Sequence, residues 1–304
     1  MIRHISAFLI ILLSAFSANA QIRTLMEADN ELKDKFLKYK NSGIVSETVL
    51  GFDIVDGQVS KESDINSKIT IDEKNMTMTE EQFLPSSQKR VMIFNANDNI
   101  REVSVYYDKG GLSSRVLTFY DESGRQTGKE YYFGTNFTFR ITNKYNSAGM
   151  IVKQSYEDSA GVTMNNSDIK YDSGGNISEE VKYDADGNVE IVYSYNYTGK
   201  SAMEESIKFQ QSNYVSKNLF YFDEKGNKKE YQQIMPNGKV DNRSVYNYDN
   251  NGNLTEQTDY KEHVIPLSKF TYKYDDKGNR VEWKEEDIVN KMSFLYKSVF
   301  EFKK

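Results

Sequence analysis

A single turn sequence recurs through this chain at near-fixed spacing. It reads YDSGGN at Tyr171, YDADGN at Tyr183, FDEKGN at Phe222, YDNNGN at Tyr248 and YDDKGN at Tyr274. Looser copies start at Tyr106, Tyr120, Tyr145, Tyr156 and Tyr195. One pattern repeated in register means one supersecondary unit stacked on copies of itself. The aromatic ahead of the turn sets the period: Tyr120, Tyr145, Tyr171, Tyr195, Phe222, Tyr248, Tyr274 and Phe300 are 24 to 27 residues apart. A second column, Tyr156, Tyr183, Phe209, Ile234 and Tyr260, runs half a repeat out of phase.

The turn chemistry needs no ligand. Asp or Asn after the aromatic accepts bonds from backbone N–H groups two residues on. Gly supplies the positive φ that closes a short hairpin. Between turns the apolar period is two: Ile191, Tyr193 and Tyr195 alternate with Val192 and Ser194, and Phe270, Tyr272 and Tyr274 with Thr271 and Lys273. Such alternation in Tyr, Phe, Val and Thr reads as half-buried strand. Two double-length gaps between turn glycines hide weaker turns, near Ser212-Asn213 and near His263. Strands joined by short turns are antiparallel neighbours. The expected fold is therefore all-β: a long antiparallel β-meander of about fifteen strands, a solenoid-like curled sheet of two-strand repeats of about 26 residues. Both aromatic columns are expected to be core.

The first twenty residues read as a secretory leader. Arg3 is a basic start, Ile5 to Phe16 an apolar run too short to span a bilayer, and Ala18-Asn19-Ala20 a small-x-small cleavage site before Gln21. Residues 21–43 read as a short amphipathic helical cap. Thr24 to Glu27 forms a capping box, Leu25, Leu32, Phe36 and Tyr39 an apolar stripe, and Gly43 the C-terminal stop. Residues 44–304 are the repeat domain. The chain is expected to act outside the cytoplasm, in the periplasm, on the cell surface or secreted, with no transmembrane segment after cleavage near Ala20.

These motifs resemble the YD repeats of Rhs-type proteins of the bacterial cell envelope. The nearest stretch is Tyr248 to Gly278, and the likeness spans roughly residues 100–300. The resemblance implies an envelope β-meander; large members roll into shells around a toxin. This chain has no toxin domain after its repeats and is short for a shell.

No reactive constellation stands out. With a net charge of −6 the chain is not a nucleic-acid binder. Zero cysteines exclude disulfides and thiolate sites. His263 is the only histidine after the leader, too few for a zinc cluster. Asp184, Asp186 and Asn188 lack the spacing of a calcium loop and read as turn chemistry. Adjacent acids such as Glu179-Glu180, Glu204-Glu205 and Glu285-Glu286 point to opposite faces of a strand, so they are not a glycosidase pair. The expectation is a non-catalytic binding or scaffold protein without cofactors or metals. A protein partner is expected first, reached through an unpaired edge at Ile44 to Val55, since Lys303-Lys304 blunts the last strand. The alternative is a glycan held by tyrosines off the packed columns, Tyr106, Tyr131, Tyr221 and Tyr231, with Trp283.

Overall fold

The structure, a computed structural model, describes residues 18–84, 87–210 and 214–304. Most of the expected leader, residues 1–17, and the turn at Ser212-Asn213 lie outside the described residues. Helix α1 spans Ala18–Ser42. It starts upstream of the expected boundary at Gln21, so Thr24 lies inside the helix and is not its N-cap. Gly43 ends it at φ 68°, donating its N–H to the Lys40 carbonyl at 3.3 Å, a left-handed stop as expected.

Twenty-one strands follow among the described residues, more than the spacing of strong turns revealed. β1 is Ile44–Val55, β2 Gln58–Val59, β3 Asp64–Asp72, β4 Thr77–Gln82, β5 Gln88–Phe94, β6 Ile100–Tyr107 and β7 Leu112–Tyr120. Then come β8 Gln126–Phe133, β9 Asn136–Tyr145, β10 Ile151–Asp158, β11 Thr163–Tyr171, β12 Ile177–Tyr183, β13 Val189–Thr198 and β14 Ala202–Phe209. The last are β15 Tyr214–Phe222, β16 Lys228–Ile234, β17 Val240–Tyr248, β18 Leu254–Lys261, β19 Ile265–Tyr274, β20 Arg280–Asp287 and β21 Met292–Phe302. From β3 onward successive strands pair antiparallel, as in Tyr193↔Ile207 and Trp283↔Tyr296, while β2 and β3 both pair with β1. The turn near His263 is present between β18 and β19.

The open, solenoid-like sheet expected from the repeats is wrong. β1 pairs with β2 and β3 on one side and with β21 on the other, and the Lys303 N–H donates to the Gly43 carbonyl at 2.8 Å. The ladder closes as an antiparallel barrel of 20 strands, two-residue β2 aside. Closure leaves no strand edge. The Ile44 to Val55 edge and the Lys291 to Lys304 edge are hydrogen-bonded to one another, and α1 does not cap either.

The chain forms two compact units. The first combines α1 and the start of β1 with Asp64–Thr138 and Val299–Lys304. Its core is the helix laid on one sheet face: Phe36 and Tyr39 against Ile44, Ile69, Met78, Met92, Phe94 and Ile100. Phe36 stacks on Phe94 at 3.8 Å between ring centroids. Polar contacts pin the helix rim: Lys40 to Asp98 at 2.7 Å, Lys33 to Asn99 at 2.6 Å, and Asp29 to the buried Lys129.

The second unit, Gly51–Ser63 with Phe139–Ser298, is sheet alone. Paired residues lie on the same face. One face is the more buried, with Ile141, Tyr156, Ile191, Tyr193, Met203 and Tyr296. It also carries Lys182 beside Glu180 at 3.1 Å, Glu205 bonded to Asn218, and Asp259 accepting from Ser244, Ser268 and Gln257. The opposite face carries rungs of ion pairs, Lys217–Glu204, Arg243–Glu230 and Lys269–Glu256, each at 2.8 Å. Neither face is the continuous apolar band of a lipid-embedded barrel. Among the described residues no helix is long and apolar enough to cross a membrane.

Candidate functional site

The repeated turns define what an ordinary hairpin end looks like here. At each, the Asp Oδ1 accepts from the N–H groups two and four residues on: Asp184 from Asp186 and Asn188, Asp249 from Asn251 and Asn253, both pairs at 2.8–3.0 Å. The Gly three residues after Asp donates back to the Asp carbonyl, with φ between 75° and 86° at Gly187, Gly226, Gly252 and Gly278. The Asn188 amide and these N–H groups hold the Asp184 carboxyl below the usual carboxylate range. Its oxygens are thus aimed at the turn's own donors. Among the described residues no three His, Cys, Asp or Glu side chains converge as metal ligands.

The motif tyrosine is a clamp. Tyr120, Tyr171, Tyr197, Tyr248 and Tyr274 donate their hydroxyls to the carbonyls of Ile100, Ile151, Ile177, Lys228 and Leu254, at 2.7–3.0 Å. Each reaches back 20 residues, from the end of one strand to the start of the strand before. In β13 the clamp is Tyr197, where the spacing of the column pointed to Tyr195. The column residues are half-buried at strand ends and not the centre of the core, so the expectation of fully buried columns is corrected; Tyr156 alone among them is buried.

Two hairpin ends depart from the rule. At the β16–β17 turn the backbone slot that Asp fills in the repeated motif belongs to Met235, whose N–H donates to the Lys239 carbonyl and whose carbonyl accepts from Gly238. The β6–β7 turn differs in the same way, and there the slot belongs to Tyr107. Its N–H donates to the Gly111 carbonyl at 2.8 Å, and its carbonyl accepts from Gly110 at 2.9 Å. The motif's Asp108 therefore falls one position late. A ring, 54% exposed, stands where most of these turns place a carboxylate or amide oxygen folded onto the backbone. Cross-strand pairing brings it to the neighbouring hairpin: Gln88↔Tyr107, Lys89↔Tyr106 and Gln82↔Gln88. An open cleft of about 370 Å³ results, lined by Phe83, Tyr106 and Tyr107 among Glu81, Gln82, Ser87, Gln88, Lys89 and Asp108. Phe83 is also exposed, and Lys89 Nζ stands 3.9 Å from Glu81 Oε1. Two exposed rings and a half-buried one, two amides, an amine and two acids thus share one depression.

Of the five residues expected to bind, Tyr106 lines this cleft and is half-buried. The others are also half-buried, and no single groove brings the five together. Tyr231 donates to Asn218 Oδ1 at 3.0 Å and packs on Phe220, on the more buried face. Trp283 stacks on Tyr296 at 4.9 Å with the Arg280 guanidinium 4.3 Å over its other face. Tyr221 pairs with Ala202 and Glu230 on the opposite face, and Tyr131 pairs with Val116 in the first unit. Burial, with Asp29 nearby, pushes the Tyr131 phenol above its usual range. Tyr107 and Phe83 escaped the sequence reading. The signal for Tyr107 was Gly110 three residues on, which fixes the turn register one residue earlier than the Tyr-Asp pair indicates.

No family model matches the chain, and no curated protein matches it. Solved structures give remote likenesses. A porin-like protein from Bacteroides uniformis is 8% identical with a TM-score of 0.41, over 85% of this chain and 98% of that one. A DUF1329 family protein from Desulfovibrio piger is 9% identical with a TM-score of 0.20, over 91% and 92%. A putative outer membrane lipoprotein-sorting protein domain from Vibrio parahaemolyticus is 7% identical with a TM-score of 0.17, over 90% and 93%. At these scores the likenesses carry no argument about what this chain does.

Proposed function

We propose that this chain is an extracytoplasmic, non-catalytic binding module and that the cleft beside Tyr107 receives a saccharide. The leader-like residues Arg3 to Ala20 support the location. The observation that carries the ligand is the displaced turn, which exposes the Tyr107 ring beside the exposed Phe83 ring of the neighbouring hairpin, among the amides of Gln82 and Gln88 and the charges of Glu81, Lys89 and Asp108. Sugars offer both a C–H face that stacks on rings and a rim of hydroxyls that such groups hydrogen-bond. The volume suits a small ligand, at the low end of the roughly 300–1,000 Å³ usual for binding sites. A protein partner joining by strand addition has lost its support, because both expected edges are paired within the chain.

Titration against a polysaccharide and oligosaccharide panel tests this, with Tyr107→Ala and Gln88→Ala beside the parent. The expected result is saturable binding to one glycan class that falls by about tenfold or more with Tyr107→Ala, since one stacked ring contributes on the order of 1–3 kcal/mol. No glycan binding, or binding indifferent to both substitutions, overturns the cleft reading. Turnover of a bound glycoside would overturn the non-catalytic one.

A further inference from the structure

We propose a second, separate surface on this chain: a set of hairpin tips in the second unit that docks onto a zwitterionic lipid surface. It rests on the tips alone and stands whatever the cleft binds. Val264 and Ile265 lie at the β18–β19 tip, Ile288 and Val289 at the β20–β21 tip, and Val55 and Val59 flank the β1–β2 turn. All six are 40–71% exposed. The three tips are consecutive in the ladder: the Ile288 N–H donates to the Leu267 carbonyl at 2.9 Å, and β21 pairs with β1. Val162, Met164 and Val189, the unit's other exposed large hydrophobics among the described residues, lie at the same end of their strands. The opposite ends carry the Asp172, Asp223, Asp249 and Asp275 turns, whereas the Asp184 turn shares the end that bears Val189.

Isolated exposed aliphatics are ordinary, but grouping at one strand end marks an interaction surface. The chemistry of the group favours lipid over protein. The cores of protein interfaces are enriched in aromatic rings, Met and Arg. Here six branched aliphatics stand on separate tips roughly 10 Å apart, two strand spacings each, with polar turn atoms between them. A solid partner would have to fill those gaps. A fluid headgroup layer fills them with water and lipid, and the turn backbone stays solvated at that depth. Charge selects the headgroup: Lys61, Lys261 and Lys291 stand against Asp56, Glu62, Glu262 and Asp287 at these tips. That near balance gives no attraction to an anionic surface.

Co-sedimentation of the mature chain with phosphatidylethanolamine–phosphatidylcholine vesicles tests the proposal, beside vesicles enriched in phosphatidylglycerol. We expect partition into the zwitterionic vesicles that persists at high salt. Val264→Ser with Val289→Ser should lower it by about a hundredfold, from the lost transfer of two aliphatic side chains, while Tyr107→Ala leaves it unchanged. Melting curves check that the double variant is folded; should it not be, Val264→Ser alone is read. Absence of partition, partition unaffected by the tip substitutions, or partition that requires anionic lipid and vanishes with salt overturns it. So does a self-association, seen by light scattering, that the same substitutions abolish, which would make the tips a protein interface.

Discussion

The tyrosine clamps permit a sharp test, because Tyr→Phe removes one oxygen and leaves the ring. In the second unit Tyr171, Tyr197, Tyr248 and Tyr274 each donate to a backbone carbonyl at 2.7–3.0 Å. Each hydroxyl is part-buried, so its loss also leaves a carbonyl without that donor. A net intramolecular hydrogen bond contributes about 1 kcal/mol, somewhat more where the abandoned acceptor stays dry. Single Tyr→Phe variants should therefore melt about 2–4 °C lower, for a chain of this size. Neighbouring clamps are two strands, about 10 Å, apart, and Tyr197 and Tyr248 about twice that with β15 and its Phe222 between them, far enough for near-additive effects. The fourfold Phe variant should lose about 4 kcal/mol, a large part of the 5–15 kcal/mol typical of a folded protein. The assay is urea unfolding of the four singles and the fourfold variant, followed by tyrosine fluorescence and far-UV circular dichroism. Tyr248→Ala bounds the ring itself; half-buried, it should cost about 2 kcal/mol, under the 3–5 kcal/mol of a fully buried aromatic. If the fourfold Phe variant unfolds with the parent, the hydroxyl bonds contribute nothing and the clamp argument is refuted.

Three further outcomes follow from charge and burial. The Asn227 amide first, with the turn N–H groups, lowers the Asp223 carboxyl, so its contribution is present above pH 3.8 and lost as pH falls through the lower folded value; Asp223→Asn keeps the acceptor, as Asn146 does in its own turn, and should match the parent at pH 7 while losing less on acidification. Burial depresses the Lys182 ammonium to about 8 against the opposing pull of Glu180, so this lysine adds stability as pH rises from 8 towards 10.5; the stability difference between Lys182→Met and the parent should shift steadily across that window, and a pH-independent difference would contradict it. Burial pushes the Tyr272 phenol up to about 12, so its contribution is full below pH 10 and fades between 10 and 12; Tyr272→Phe should flatten alkaline unfolding followed by tyrosinate absorbance.

What the residues disclose on their own tracks how local each interaction is. The Asp and Gly of a turn bond within five residues, so Asp249 to Asn253 announces its geometry in its letters. The period follows because the Tyr248 clamp spans one fixed distance along the chain, 20 residues to Lys228. Closure has no such local mark. It depends on β1, which carries no turn motif, meeting β21 at the other end of the chain. Ser46 and Glu301, bonded at 2.6 Å, are 255 residues apart. A meander with the same turns also forms an open sheet, so the letters alone do not choose. The choice falls to the residues least like the repeat. Phe36 and Tyr39 supply the helix core that fixes β1 against β3 and β6 through Ile44, Ile69 and Ile100, and once β1 is held there its free side meets β21. The cleft obeys the same logic. Gly110 sets the turn by backbone geometry, and a Tyr-Asp pair one residue out of step must place its ring, not its carboxylate, at the slot. Where the repeat is regular the chain builds structure; where its register slips, it presents a surface.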